Sequence, residues 1–102
     1  MELKPGLRLA STVCSTEVIV VKAPAGPVDL RCGGRPMVAK ADAAEPSGTV
    51  DPTHGDGTLI GKRYADDELG IEVLCTKAGD GSLSIGAERL GVKEAKPLPS
   101  SD

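Results

Sequence analysis

The sequence contains no tryptophan and no phenylalanine, and Tyr64 is its only aromatic residue. A core without rings must be assembled from Val, Leu, Ile and Ala, which each bury less apolar area. The same lack removes stacking platforms for bases. With 12 Lys and Arg against 15 Asp and Glu, and a net charge of −3, no basic stripe is present either, so nucleic-acid binding is not expected. No apolar run approaches the ~20 residues that a membrane-spanning helix needs. The opening "MELKPGLRLA" lacks the apolar stretch of a secretory signal. Three cysteines are an odd number and suggest no disulfide framework, so a cytoplasmic protein is expected. No C-x-x-C pair occurs, and no long segment carries a 3.6-residue apolar period.

What is present is β-branched and repetitive. At 102 residues the chain suits one small domain, in which every apolar side chain counts. "TEVIVVKAPAGPVDL", residues 16–30, is echoed by "IEVLCTKAGDGSLSI", residues 71–85. Glu17/Glu72, Val18/Val73, Lys22/Lys77, Ala23/Ala78 and Gly26/Gly81 are identities, and Ile19/Leu74, Val28/Leu83 and Leu30/Ile85 are conservative. Each copy has a β-branched run, a Gly-containing turn and an alternating return, and so reads as a hairpin.

With the first turn centred on Ala25, Val20 faces Leu30 and Val18 faces Cys32. Period-two alternation then puts Val18, Val20, Val28, Leu30 and Cys32 on one core face. The same parity places Val73, Cys75, Leu83, Ile85 and Ala87 inward and brings Cys14 to that side. The expected fold is all-β, a small sandwich or barrel of about six to seven short antiparallel strands, containing two pseudo-repeated hairpins packed face to face. Residues 1–92 form the domain. Residues 40–57, rich in Ala, Asp, Gly and Pro, read as a flexible loop, and residues 93–102 as a disordered tail.

One stretch supports a family resemblance. "VCSTEVIVVKAPAGPVDLRCGGRPM", residues 13–37, resembles the desulforedoxin and rubredoxin-like family of small iron domains, in which a C-x-x-C knuckle leads through a strand and a Gly turn to a C-C-G-x-x-M stretch. The resemblance makes Cys14 the first ligand and Cys32 the third. Glu17 and Gly33 stand where the second and fourth cysteines would be. It implies a β-hairpin module whose metal site has been lost or rebuilt, and two fused copies would mimic the family's dimer. In a rebuilt site Cys14, Cys32 and Cys75 would hold zinc or iron, with His54 or Glu17 as the fourth ligand. The simpler expectation is three buried thiols packed as small apolar groups, with no cofactor.

The remaining candidates are fewer. His54, the sole histidine, lies in "DPTHGDG" with Asp51 and Asp56 and reads as part of a solvated loop. "RCGGR" places Gly33 and Gly34 between Arg31 and Arg35, a candidate patch for an anion or a partner. The tail "KPLPSSD" has the character of a recognition peptide. No nucleophile–base set is evident, so an enzyme using a reactive cysteine ranks below the other readings. The expected function is a small non-enzymatic binding or accessory module docking on a larger, unidentified protein partner. A metalloprotein is the alternative.

Overall fold

Four consecutive β-branched residues, Val18 to Val21, stiffen the chain at χ1 and favour an extended backbone. They form the middle of strand β2, Glu17–Lys22. Its counterpart in the echo, β7, Ile71–Lys77, is the longest strand. The computed structural model describes residues 2–93; the expectation made for residues 94–102 lies outside them. The other strands are β1 (Arg8–Ala10), β3 (Leu30–Cys32), β4 (Arg35–Pro36), β5 (Val38–Ala39), β6 (Arg63–Asp66), β8 (Leu83–Ile85), β9 (Glu88–Arg89) and β10 (Gly91–Lys93). All pairings are antiparallel. One sheet has the order β10-β6-β7-β2-β1-β5 and the other β4-β3-β8-β9. The all-β sandwich expected from the sequence is therefore present, built from shorter and more numerous strands than expected.

The sheet orders are palindromic, and the registers show why. A shift of 55 residues carries the pair Val18–Cys75 onto Val20–Val73, and both are observed. The same shift maps the pair Ile19–Leu74 onto itself. It also carries β1 onto β6: Arg8 pairs with Ile19 as Arg63 pairs with Leu74, and Leu9 with Val18 as Tyr64 with Val73. The β2–β7 irregularities fall at equivalent ends, one beside Glu17 and one beside Lys22. Beyond β3 the shift becomes 53, because the connection 78–82 is two residues shorter than 23–29. With that shift, the bond from Met37 N–H to Leu30 carbonyl matches the one from Leu90 to Leu83, each 3.0 Å. The chain is thus an internal duplication, roughly residues 3–39 and 58–92, with a pseudo-twofold axis between β2 and β7.

The hairpin expectation needs correcting at this level. β2 pairs with β7, not with β3, and β3 pairs with β8. Each copy sends its first long strand to one sheet and its return strand to the other. The physical reason is burial. Val18, Val20, Leu30 and Cys32 all turn inward, and two such rows bury each other better across a sandwich than side by side in one sheet.

The core is Leu3, Leu9, Val18, Val20, Leu30, Met37, Tyr64, Ile71, Val73, Leu83 and Leu90, together with all three cysteines. The parity argument holds for Cys32 and Cys75; Cys14 is also buried, but from the bent loop between β1 and β2, where strand alternation does not run. Val28 and Ile85 are only partly buried, and Ala87 is exposed at the β8–β9 turn.

The segment read as a flexible loop, residues 40–57, contains local structure. It carries 3₁₀ turns at Lys40–Asp42 and Pro52–His54. Asp51 caps the second turn by accepting from the N–H and hydroxyl of Thr53. Backbone bonds tie Asp51 to Gly33 and His54 to Ser82, and Arg89 pairs with Asp56.

Candidate functional site

The loop from β1 to β2 builds a cradle around one sulfur. Ser11, buried at the end of β1, accepts bonds from the N–H of Val13 and of Cys14, both at 3.2 Å. Cys14 Sγ lies 3.3 Å from Ser11 Oγ and donates to it as a thiol; once Cys14 is a thiolate, the hydroxyl can turn its own proton to the sulfur. Thr16 Oγ1 lies 3.3 Å from the same sulfur. Burial alone would raise the Cys14 thiol. Hydrogen bonds from the Ser11 and Thr16 hydroxyls, and from the N–H of Thr16 and Gly81, outweigh it and lower the pKa to about 7.

Cys32, at the end of β3, sits behind it with 3.7 Å between the sulfurs. Full burial pushes its thiol up to about 12, with the neighbouring Cys14 charge adding to the effect. Burial also raises Cys75, whose sulfur contacts the Lys77 carbonyl at 3.2 Å.

The short connection 78–82 closes this region from above, and it can do so only as glycine. A Cβ at Gly79 would stand 2.3 Å from Thr16 Oγ1 and 3.0 Å from Cys14 Sγ. At Gly81 it would stand 2.7 Å from Gly33 N and 3.0 Å from Cys32 Sγ. Beside the cradle runs a groove of about 370 Å³, lined by Ser11, Cys14 and Thr16 at its buried end and by Lys40, Lys77 and residues 43–46 toward solvent. Glu17, which also lines it, pairs with Lys40 at 2.8 Å and with Lys77 at 3.9 Å.

The metal expectation is overturned. Among the described residues no group of three or more His, Cys, Asp or Glu side chains is placed to hold a metal ion. Cys14 and Cys32 touch, but Cys75 turns to a backbone carbonyl and His54 is held in its own turn against Ser82. Zinc or iron therefore has no donor set here.

The candidate patch of Arg31, Gly33, Gly34 and Arg35 does gather at the β3–β4 turn, where both glycines have positive φ as a two-residue hairpin loop requires. Its donors face the protein. Arg31 pairs with Asp29 at 2.8 Å and donates to the Gly34 carbonyl at 3.2 Å. The Gly33 N–H donates to Ser82, and the carboxylate of Asp51 stands beside Gly34. Arg35 is exposed.

Sequence reading passed over a second feature. Leu59 and Ile60 are 61% and 66% exposed. They sit in a tight turn closed by Lys62 N–H to Leu59 carbonyl and docked by Gly61 N–H on Cys75 carbonyl. The Leu59 N–H donates to the hydroxyl of Tyr64 at 2.9 Å. Val92, 52% exposed, stands opposite Tyr64 on the edge strand β10. Tyr64 is thus tied to Leu59 through its hydroxyl and to Val92 through strand pairing, at one end of the six-stranded sheet. The signal was in the sequence: the turn "LIGK" aligns with "KPGL" at residues 4–7. Comparison with protein-family models, with curated proteins and with solved structures gives no match.

Proposed function

We propose that this chain is a small non-enzymatic accessory module that docks on a larger protein through the ledge formed by Leu59, Ile60 and Val92. The observation that carries this reading is internal to the molecule. The turns at residues 4–7 and 59–62 have the same closing bond, the same docking bond and a glycine of positive φ at the same place. The first copy makes the turn with exposed Lys4 and Pro5. The fold therefore does not need two aliphatic side chains at this tip, and leaving them in water has no structural return.

The occupant is an extended segment of a partner, apolar at its centre and acidic beside it. β10 pairs only with β6 among the described residues, which leaves its outer backbone row able to accept a strand. Lys62, exposed, lies next to the ledge and supplies the cationic margin, beside Arg63, whose guanidinium pairs with Glu72 at 3.5 Å. The three free thiols suit a reducing compartment, the cytoplasm.

A photoreactive amino acid at Lys62 should give one discrete crosslinked partner in cells. With that partner purified, Leu59→Lys/Ile60→Pro, which transplants the first copy's residues, should weaken binding at least about tenfold, ~1.4 kcal/mol, with an unchanged circular dichroism spectrum. Unchanged affinity, or absence of any crosslink, overturns the reading. So does wild-type protein that sediments as a dimer held by these residues. A chain cut after Lys93 that binds much more tightly would make residues 94–102 the occupant instead.

A further inference from the structure

All three sulfurs are free, and two of them are in van der Waals contact at 3.7 Å. A disulfide needs about 2.05 Å, so the two sulfurs must move together for a bond to form. The two thiols are not alike. Cys14 lines the groove beside the β1–β2 loop, whereas Cys32 lies fully buried behind it. Ser11 Oγ and Thr16 Oγ1 each lie 3.3 Å from Cys14 Sγ, accepting from the thiol and able to donate to the thiolate. The internal duplication does not call for this arrangement: the position equivalent to Cys14 is Leu69, and the turn position equivalent to Cys32 is Ile85.

From this geometry we propose that Cys14 and Cys32 form a dithiol site oxidised by a small hydroperoxide that enters the groove, with Cys14 reacting first and Cys32 resolving it. The Cys14 thiolate attacks the terminal peroxide oxygen. A sulfur–oxygen bond forms, the oxygen–oxygen bond breaks, and the second oxygen takes up a proton, equivalent to the one Cys14 gave to solvent on ionising, and leaves as alcohol or water. Cys32 then attacks the Cys14 sulfur. The sulfur–sulfur bond forms, the sulfur–oxygen bond breaks, and the proton of Cys32 departs with the hydroxide as water. Two thiols are oxidised by two electrons and one peroxide is reduced.

Cys14 is 9% exposed, which admits a small oxidant but not the in-line approach of a bulky disulfide. Its pKa of about 7 leaves a large thiolate fraction at neutral pH, the form that attacks. This site is independent of the ledge and stands or falls separately.

The test uses the reduced full chain and hydrogen peroxide. Free thiols should fall from three to one, and the intact mass should drop by two hydrogens with no change in sedimentation. The three cysteines fall in separate tryptic peptides, residues 9–22, 32–40 and 64–77, so a peptide map should join the first two. Cys32→Ala should leave Cys14 as a sulfenic acid that dimedone captures. Cys75→Ser should react as the wild type does. Ser11→Ala should move the pH profile of Cys14 alkylation upward and slow the peroxide reaction several-fold at neutral pH. Three thiols surviving peroxide would overturn the proposal. So would a bond to Cys75, a bond between two chains, oxidation by glutathione disulfide alone, or a Ser11→Ala variant with an unshifted profile.

Discussion

The two copies meet the same structural demand twice and answer it differently at two places. At the turns 4–7 and 59–62 the backbone is the same, and Lys-Pro in one copy becomes Leu-Ile in the other. At the connections between the sheets the backbone itself differs: 23–29 is longer, and 78–82 is shorter and crosses the thiol pair. Where the backbone agrees and the side chains do not, the fold is not the reason for the choice, and it is on that contrast that the proposed docking ledge rests. Where the backbone differs, the local packing is the reason. None of the three cysteines has a cysteine as its counterpart; Cys75, for instance, matches Val20. The chemistry of the molecule thus lies in its departures from internal symmetry.

The connections give the largest expected effect. Gly26 and Gly81 are equivalents by sequence. Gly26 has φ +87° and nothing within 4 Å of a Cβ, whereas a Cβ at Gly81 would meet the Gly33 backbone at 2.7 and 2.9 Å. Gly81→Ala should cost about 3 kcal/mol or more, because backbone must shift to admit it. Gly26→Ala should cost about 1–2 kcal/mol, from left-handed strain alone. Urea unfolding of both variants measures the gap. Equal costs would mean that the short connection does not press on the thiol region.

Next in size is a pH effect that separates the three sulfurs. Cys14 is held at about 7 against an ordinary value of 9. Between those values the folded chain binds fewer protons than the unfolded one, so stability rises with pH, by on the order of 1 kcal/mol per unit at most. This contribution is lost as pH falls through 7. Cys32 and Cys75 are both raised. Above pH 9 the folded chain keeps protons that the unfolded chain releases, and stability falls. The charged groups facing Cys14 across the groove are Glu17, Lys40, Lys77 and Glu45. Denaturant midpoints should therefore rise from pH 7 to 9 and decline beyond it. Cys14→Ser should abolish the rise and keep the decline.

The β character, the echo at residues 16–30 and 71–85, and the inward direction of Cys32 and Cys75 were legible, because each depends on local stiffness and period-two alternation; Cys14 is turned inward by the β1–β2 loop instead. Strand partners were not. A turn such as "APAGP" serves a hairpin or a step between sheets equally well, and the choice is made by how Val18, Val20, Leu30 and Cys32 bury one another. The outer strands escaped notice because the copies share little there beyond Arg8/Arg63 and Ala10/Ala65. The thiol cradle escaped for another reason: Gly79 and Gly81 come from the far copy, and no local pattern says that a distant glycine will lie over Cys14.

Tyr64 offers a smaller test of the ledge. Its counterpart is Leu9, which is equally buried and has no hydroxyl. Tyr64→Phe keeps the ring and removes the acceptor of the Leu59 N–H. A loss of about 1 kcal/mol is expected, together with faster hydrogen exchange at Leu59 and no change at the equivalent Lys4. An unchanged exchange rate at Leu59 would show that the ring does not hold the turn.

The smallest effect is the most discriminating. Leu59→Lys/Ile60→Pro should change unfolding free energy by no more than about 0.5 kcal/mol. Both side chains already face water, and proline suits the second position of a turn whose third residue is Gly61 at φ +80°. Pro5 occupies that position in the first copy. The two turns would then carry one sequence, and any property lost with stability intact would belong to the exposed surface and not to the fold. A loss of stability well beyond that figure would show that Leu59 and Ile60 support the second copy's structure, and the contrast between the copies would no longer point outward.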